Sequence, residues 1–544
     1  MPLQIPGLQE FPLSEIENQH HNFNFKFEQP NSYRLSNPLP NAAPIVRYNA
    51  TTKNIQTAIQ LNAIHRQRAR ALGSNWSFTK VGYAKDRIID TKGLRLKMSL
   101  ATNHLDGACA YTVDDLIFLQ AGNTIMDINA KLEGDTAAKK SIRASGASNG
   151  QTIAGAMSTN THGSAFDVGS VHDMVVGLHI VTGADSHVFI DRATDPVVSD
   201  DFLQTIGTQH IRDDETFNAA VVSFGSMGVI HGVILRTEPI FLLEKYRQRV
   251  ALNDDLLKAM DTLDFSHIHL PAPENTQRKL YHWSLVLNPY KLNDDGRGAY
   301  LTTIYKIPYD PMNHQTTTMS DRGYTYGDDT LGIVDGLIRN LRMWGWGGRF
   351  MIKRLVNRLT RLQYPDNQHF PWVGTMGETF NYTSLRGKAA SMAVGMDKSN
   401  TSKAVKILLD LVKNDKPMPG VVGIRYVKGT EATFGFTRFP TTCIFELDGV
   451  DTPLMHECYD LFLRKLNEQN IPFTLHWGKM NDYLNEQTLR DMYTPAKVES
   501  WLKVRAQLLQ TNEVRAVFTN EFMEKCGLDK VIIPTPQPQT PVIV

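Results

Sequence analysis

Residues 143–165 restrict the fold of this chain more than any other segment. They include no acidic side chain and only two large apolar ones, Ile153 and Met157, so they contribute little to a hydrophobic core. Glycines there allow positive φ angles and close approach of the backbone to a bound group. Because free N–H groups in such a loop suit a phosphate or a flat polar ring, we predict a ligand loop, with an ordinary surface loop as the alternative. The glycines are Gly146, Gly150, Gly155 and Gly163.

Length and composition describe a globular protein of at least two domains. The 544 residues exceed what one core usually supports, and 42% apolar and 21% charged residues are ordinary values. A formal net charge of +1 gives no reason to expect nucleic acid as a partner. The four widely spaced cysteines predict neither a metal site nor a disulfide framework. With no signal-peptide pattern and no apolar run long enough to span a membrane, we expect a cytoplasmic protein.

The first half of the chain predicts an arm followed by an α+β domain. Residues 1–42 have little periodicity, and we interpret them as an irregular arm. Residues 43–240 begin with a predicted strand at 45–48 and a helix at 51–66. The G-x-G-x-x-G signature of a Rossmann unit is absent after that strand, which favours an α+β class.

The second half predicts another α+β domain, residues 241–494, and a C-terminal segment, residues 495–544, that returns to the first domain. The segment opens with a helix at 495–509, for which Thr494 is the predicted N-cap. Alternating elements in 241–494 indicate an antiparallel sheet with helices on one face. The strands are predicted at 283–287, 421–427, 433–439 and 442–447, and the helices at 254–263, 402–413 and 454–468.

Residues 337–363 carry seven basic residues and no acid, interleaved with aromatic side chains. A solvated or partner-facing pair of helices is one interpretation. A peripheral membrane contact is the other, because basic and aromatic residues favour the bilayer interface. The aromatic and apolar residues are Trp344, Trp346, Phe350 and Leu355.

Five motifs occur in the order found in flavin oxidases of the vanillyl-alcohol oxidase and p-cresol methylhydroxylase type. From about residue 43 to 528 the sequence resembles these enzymes, with the strongest resemblance to the alditol oxidase and sugar-lactone oxidase branch. The resemblance implies a two-lobed FAD-binding domain and an α+β substrate domain with an antiparallel sheet. The motifs are Arg-Ala-Leu-Gly-Ser-Asn-Trp-Ser-Phe at 70–78, the loop 146–163, Gly-Ser-Met-Gly-Val-Ile at 225–230, His-Trp-Gly-Lys at 476–479 and Val-Phe-Thr-Asn at 517–520.

By this resemblance, FAD would lie extended between the lobes, with its diphosphate held by N–H groups of two small-residue loops. Both loops lack bulky side chains that would obstruct a diphosphate, except at Trp76. The residues implied to hold the cofactor are Gly73, Ser74, Asn75, Trp76, Ser77, Gly146, Ala147, Ser148, Thr152, Gly155, Ser158, Thr159, Thr161, His162, Gly228, Val229, Ile230 and Asn520.

The first loop departs from the pattern of these oxidases. In many relatives it reads Gly-x-Gly-His-Ser, and its histidine is bound covalently to the flavin. Here Asn75 and Trp76 stand in the Gly-His places. Because tryptophan has no nitrogen suited to that bond, we expect non-covalent FAD. We expect His162 to be a structural hydrogen-bonding residue.

The resemblance implies hydride transfer from a carbinol C–H to flavin N5, chemistry that the cofactor supplies. Lys479 is the predicted cation at the N1 and C2 carbonyl edge, with His476 beside it. Relatives often carry Glu-x-Arg on a substrate-domain strand, whereas this chain keeps Arg425 and has Gly423 for the glutamate. Glu446 is the candidate replacement, either as a group that accepts the substrate hydroxyl proton or orients the diol, or in a structural ion pair with Arg425.

We therefore expect an FAD-dependent oxidase that acts on a CH–OH group of a polyol, sugar or sugar lactone. The small Ser158 favours O2 as the electron acceptor, with hydrogen peroxide as product. The alternatives are a sterol-type, cholesterol oxidase-like alcohol oxidase or dehydrogenase, and a flavin-binding protein without turnover. The sequence defines no oligomeric state.

Overall fold

The protein is described by a computed structural model covering residues 3–135, 138–291, 298–314, 337, 348–363, 371–381, 388–413 and 417–531. Sheets of five, six and eight strands organise this part of the chain. Two further ribbons pair Glu15–Glu17 with Asn24–Lys26 and Lys140–Ser141 with Glu238–Pro239. The described residues form both helices and strands, which confirms the α+β class.

The five-stranded sheet includes much of the N-terminal arm, so the expectation of an irregular arm was wrong. Pairing with the sheet satisfies backbone groups that an irregular arm would leave to solvent. The predicted strand at 45–48 was also wrong, because the helix Pro44–Ile64 already begins there with proline in its first turn. In spatial order the strands are Gln4–Ile5, Leu8–Pro12, Asn31–Ser36, Arg87–Gly93 and Ala69–Leu72.

The six-stranded sheet is the core of residues 97–236. In spatial order its strands are Gln209–Arg212, His187–Asp191, Val175–Val181, Val229–Arg236, Leu116–Gln120 and Lys97–Met98. Four helices lie between these strands in the chain: Ile125–Glu133, Ile153–Ser158, Asp200–Ile206 and Asp214–Val221.

The eight-stranded sheet confirms the predicted antiparallel sheet, since all its neighbouring strands are antiparallel. The strand expected at 433–439 is absent, and those residues form turns. In spatial order the strands are Trp372–Gly374, Phe241–Val250, Ala299–Pro308, Lys279–Leu287, Gly420–Lys428, Thr441–Val450, Ala389–Asp397 and Phe473–Leu475. The helices in this region are Asp254–Thr262, Gly348–Gln363, Met376–Thr379, Thr401–Lys413 and Pro453–Glu468.

Of the four C-terminal helices, Asn512–Val517 packs against the five-stranded sheet. Val517 and Phe518 share a buried apolar cluster with Leu35 and Ile55. Thr494 stands at the N-cap position of its helix, but its side chain makes no capping hydrogen bond. The helices are Glu486–Tyr493, Pro495–Leu508, Asn512–Val517 and Glu521–Lys525.

The basic segment 337–363 is described only in part, and Trp344 and Trp346 lie outside the described residues. In the helix Gly348–Gln363, Ile352 and Val356 are buried in the main core. Among residues 352–361, whose side chains are described, the exposed ones are basic. None of the described helices combines the length and apolar character needed to cross a membrane. The exposed basic residues are Lys353, Arg354, Arg358 and Arg361.

A buried histidine cluster between the helix Pro44–Ile64 and the six-stranded sheet predicts acid sensitivity. Tyr48 stacks on His231 with ring centroids 3.9 Å apart, and its hydroxyl lies 2.7 Å from His179 Nδ1. Burial lowers the pKa of His231 to about 3 and that of His179 well below 6.5. Both rings are therefore neutral in the folded protein near pH 7.

We expect unfolding free energy to fall as the pH drops below 6.5, because the unfolded chain then binds protons that the folded cluster excludes. The loss should be about 1 kcal/mol per buried histidine per pH unit. Urea unfolding at pH 7.5, 6.5 and 5.5 measures it, and His231→Gln should make the dependence shallower. The exposed control His269→Gln should leave the pH dependence unchanged. Equal slopes of unfolding free energy against pH in the wild type and both variants would contradict the assignment.

Candidate active site

One cavity joins both predicted ligand loops to the eight-stranded sheet. Its empty volume is about 1600 Å³, with the open mouth included. Every residue predicted to hold the cofactor lines it except Val229 and Asn520. Val229 is in a buried apolar cluster, and the Asn520 amide donates to the backbone oxygens of Val81 and Tyr83. All four predicted catalytic residues, Arg425, Glu446, His476 and Lys479, also line the cavity.

The two loops pack directly against each other. The first follows the strand Ala69–Leu72, and the second precedes the helix Ile153–Ser158. A Cβ atom on Gly150 would lie 2.7 Å from the Trp76 ring, and one on Gly73 would overlap the Thr152 side chain. Glycine at these two positions is therefore required for contact between the loops.

The loops present unused backbone donors. Among the described residues, no oxygen accepts a hydrogen bond from the N–H groups of Ser74 to Ser77, or from those of Gly146 and Ala147. Asn75 adopts a φ of 62°, in the left-handed region that lets successive N–H groups converge. Since partly buried donors need acceptors, these groups fit an anionic oxygen ligand.

Two buried guanidinium groups lie behind the first loop. Arg70 and Arg505 are each 1% exposed, and within the described chain neither has a carboxylate within 4.0 Å. Arg70 donates to the backbone oxygens of Phe518, Val81 and Phe224, and the last two residues line the cavity. Burial, and then repulsion by Arg505, lower the pKa of Arg70 to about 9. A bound anion in the cavity would offset this buried positive charge.

The eight-stranded sheet supplies charged side chains to the same cavity. Glu446, 3% exposed, lies with Oε2 2.8 Å from Arg425 Nε and with Oε1 3.6 Å from Lys479 Nζ. Glu446 pairs in register with Gly423 on the neighbouring strand. Its carboxylate therefore enters from the strand directly beside the position at which relatives carry glutamate, and it forms the ion pair considered from the sequence.

Ser391 and Asp448 belong to this cluster although sequence reasoning missed them. Lys479 Nζ donates to Ser391 Oγ at 2.7 Å, and Ser391 donates to Asp448 Oδ1 at 2.5 Å. Ser391 pairs in register with Asp448. The available signal was Glu-Leu-Asp at 446–448, since residues two apart on a strand share a face.

The two cavity histidines singled out from the sequence, His162 and His476, are neutral near pH 7. Burial lowers the pKa of His162 to about 4 and that of His476 well below 6.5. His476 Nδ1 accepts from the Gly478 N–H at 2.9 Å, and His162 Nδ1 donates to the Gly163 carbonyl at 3.1 Å. His476 therefore adds no second positive charge beside Lys479, and His162 makes the kind of local hydrogen bond expected for it.

Comparison with known families identifies the loop-bearing domain. Residues 43–190 match the family model described as FAD binding domain. This chain contains an FAD-binding domain. Its curated relatives include D-arabinono-1,4-lactone oxidase of Candida glabrata, 30% identical over 27% of this chain and 24% of that protein. L-gulonolactone oxidase 3 of Arabidopsis thaliana is 32% identical over 27% of this chain and 24% of that protein. L-gulono-1,4-lactone dehydrogenase of Mycobacterium tuberculosis is 25% identical over 36% of this chain and 38% of that protein. The chain thus spans about a quarter to two fifths of these relatives.

Solved structures extend the likeness of fold to nearly the whole chain. Cholesterol oxidase from B. sterolicum superposes with a TM-score of 0.66, covering 97% of this chain and 99% of that one at 15% identity. A solvent-stable cholesterol oxidase gives the same TM-score at 14% identity, covering 96% and 98%. At such low identities the likeness establishes the fold of this chain alone and does not identify a substrate.

Contact between the loops predicts that Gly150→Ala weakens FAD binding at least about tenfold, because the new methyl group pushes the Trp76 ring and separates the donors. Titration of the apoprotein with FAD, followed by flavin fluorescence, measures the affinity. Gly107→Ala is the control, since a Cβ there meets nothing within 4 Å. Equal affinities for both variants would contradict this account.

Proposed function

We propose that the protein is an FAD-dependent oxidase acting on a CH–OH group of a polyol, sugar or sugar lactone, with O2 reduced to hydrogen peroxide. The observation that carries the proposal is the charged cluster of the eight-stranded sheet in the cavity that the FAD loops also line. Such a cluster offers both donors and acceptors to a hydroxylated substrate. The lactone-oxidising names of the curated relatives support the same substrate class.

FAD, when bound, supplies the hydride acceptor. In the proposed reaction the Glu446 carboxylate accepts the hydroxyl proton, and Arg425 holds that carboxylate in place at 2.8 Å. Lys479 supplies positive charge where negative charge develops on the reduced ring. Ser391 and Asp448 fix the direction of the Lys479 ammonium through the two hydrogen bonds already described. The small Ser158 lines the cavity and leaves space for O2.

A sterol alcohol is the second candidate, because the fold is that of cholesterol oxidases. Glu446 does not distinguish the two substrates, because a sterol also presents a hydroxyl whose proton this carboxylate would accept. A flavin-binding protein without turnover is the third candidate.

Anaerobic titration of the FAD-loaded protein with polyols, sugar lactones and cholesterol separates the three. We expect bleaching of the flavin band by a polyol or lactone. Bleaching by cholesterol alone would favour the sterol enzyme, and no bleaching would favour a binding protein.

Acid precipitation of the same sample should leave the flavin in the supernatant, because Trp76 offers no attachment nitrogen; a yellow pellet would contradict non-covalent binding.

Replacing the proposed proton acceptor tests the mechanism. Glu446→Gln should lower the rate of flavin reduction by about 100-fold or more, with the FAD content unchanged, since the amide accepts no proton. Stopped-flow reduction by the best substrate measures the rate. Glu513→Gln, on an exposed helical position, is the matched control. An unchanged rate in Glu446→Gln would remove this carboxylate from the chemistry.

A further inference from the structure

A segment of the N-terminal arm, residues 17–22, runs along the first FAD loop. Gln19 donates its backbone N–H to the Asn75 carbonyl at 3.1 Å, and His20 Nε2 lies 2.7 Å from the Trp76 carbonyl oxygen. The Asn18 amide donates to the Ser77 carbonyl at 2.9 Å. Three consecutive loop carbonyls are therefore held by the arm segment.

These contacts determine where the loop N–H groups point. In a trans peptide the carbonyl and the following N–H lie on opposite sides of the chain, and the described residues contain no cis peptide. Carbonyls directed at the arm segment therefore turn the N–H groups of Trp76, Ser77 and Phe78 away from it. The Phe78 N–H shows the direction, because it donates at 2.8 Å to Gly478, a residue of the cavity wall.

His20 is the central contact of the arm segment. It is 2% exposed, lines the cavity, and stacks on Phe78 with ring centroids 3.6 Å apart. Burial lowers the pKa of His20 to about 3, so the ring is neutral and its Nε2–H donates to the Trp76 carbonyl. The neighbouring His21 differs, since its side chain is 47% exposed and forms a hydrogen bond with Glu17.

We propose that Asn18, Gln19 and His20 are a structural part of the FAD site, although they lie outside the matched domain 43–190. The arm segment forms hydrogen bonds to three loop carbonyls, so that the N–H groups of Trp76 and Ser77 face the diphosphate. The proposal rests on the proposed FAD function. Because coupling between sites is reciprocal, bound FAD also stabilises the docked arm segment.

The matched pair His20→Asn and His21→Asn tests the proposal. Asparagine is too short to reach the Trp76 carbonyl from position 20, and it tolerates the positive φ of His21. We expect about tenfold weaker FAD binding for His20→Asn and no change for His21→Asn, in titrations of the full-length apoprotein. His20→Gln, whose longer amide restores a donor, should recover most of the affinity, which a general packing defect would not allow.

Limited proteolysis supplies a second readout. FAD should slow cleavage within residues 17–22 in the wild-type chain and protect less in His20→Asn. If wild-type protein binds no FAD, the proposed function itself fails. If the wild-type protein and His20→Asn bind FAD with equal affinity, and FAD does not change the rate of cleavage within residues 17–22, the role of the arm segment is overturned.

Discussion

Contact between the two FAD loops is the constraint on which the rest of the site depends. The Trp76 ring packs where any side chain at position 150 would stand, and Thr152 packs against Gly73. These contacts bring two rows of unused N–H donors, from distant parts of the domain, to one cavity. Apart from Trp76, the loops contain little apolar surface of their own, so the surrounding elements also maintain their arrangement: the arm segment, the C-terminal helices and the buried Arg70.

Buried charge divides the cavity by function. Around the first loop, Arg70 and Arg505 bond to backbone oxygens, and within the described chain neither forms an ion pair with a carboxylate within 4.0 Å, which suits an anionic cofactor. On the eight-stranded sheet, Arg425 and Lys479 meet the carboxylate of Glu446, which suits a neutral substrate with hydroxyl groups. The proposed reaction fits this arrangement, because the diphosphate is permanently charged whereas the alcohol is not.

Local sequence signals predicted the loops and the regular elements well. Helices expected at 254–263 and 402–413 occur at Asp254–Thr262 and Thr401–Lys413, because their apolar spacing is encoded locally. Long-range pairing caused the errors. Residues 433–439 have alternating aromatics, yet the Phe436 N–H bonds to the Asn160 side chain instead of a strand.

Long-range pairing also explains why some residues of the site were not predicted. Ser391 reaches Asp448 through strand register, and His20 reaches Trp76 because the arm joins the sheet. The sequence pattern does not indicate either partner, although the spacing of Glu446 and Asp448 does place those two residues on one face of a strand. Glu446 was predictable because a carboxylate on an apolar strand needs a partner, and Arg425 was available on the next strand.

The absorbance spectrum of the purified full-length protein, recorded after incubation with FAD and removal of unbound flavin, tests the central claim most directly. Two loops that enclose one diphosphate predict a protein-bound flavin band corresponding to one FAD per chain. A colourless protein that takes up no FAD would show that these loops do not form a cofactor site.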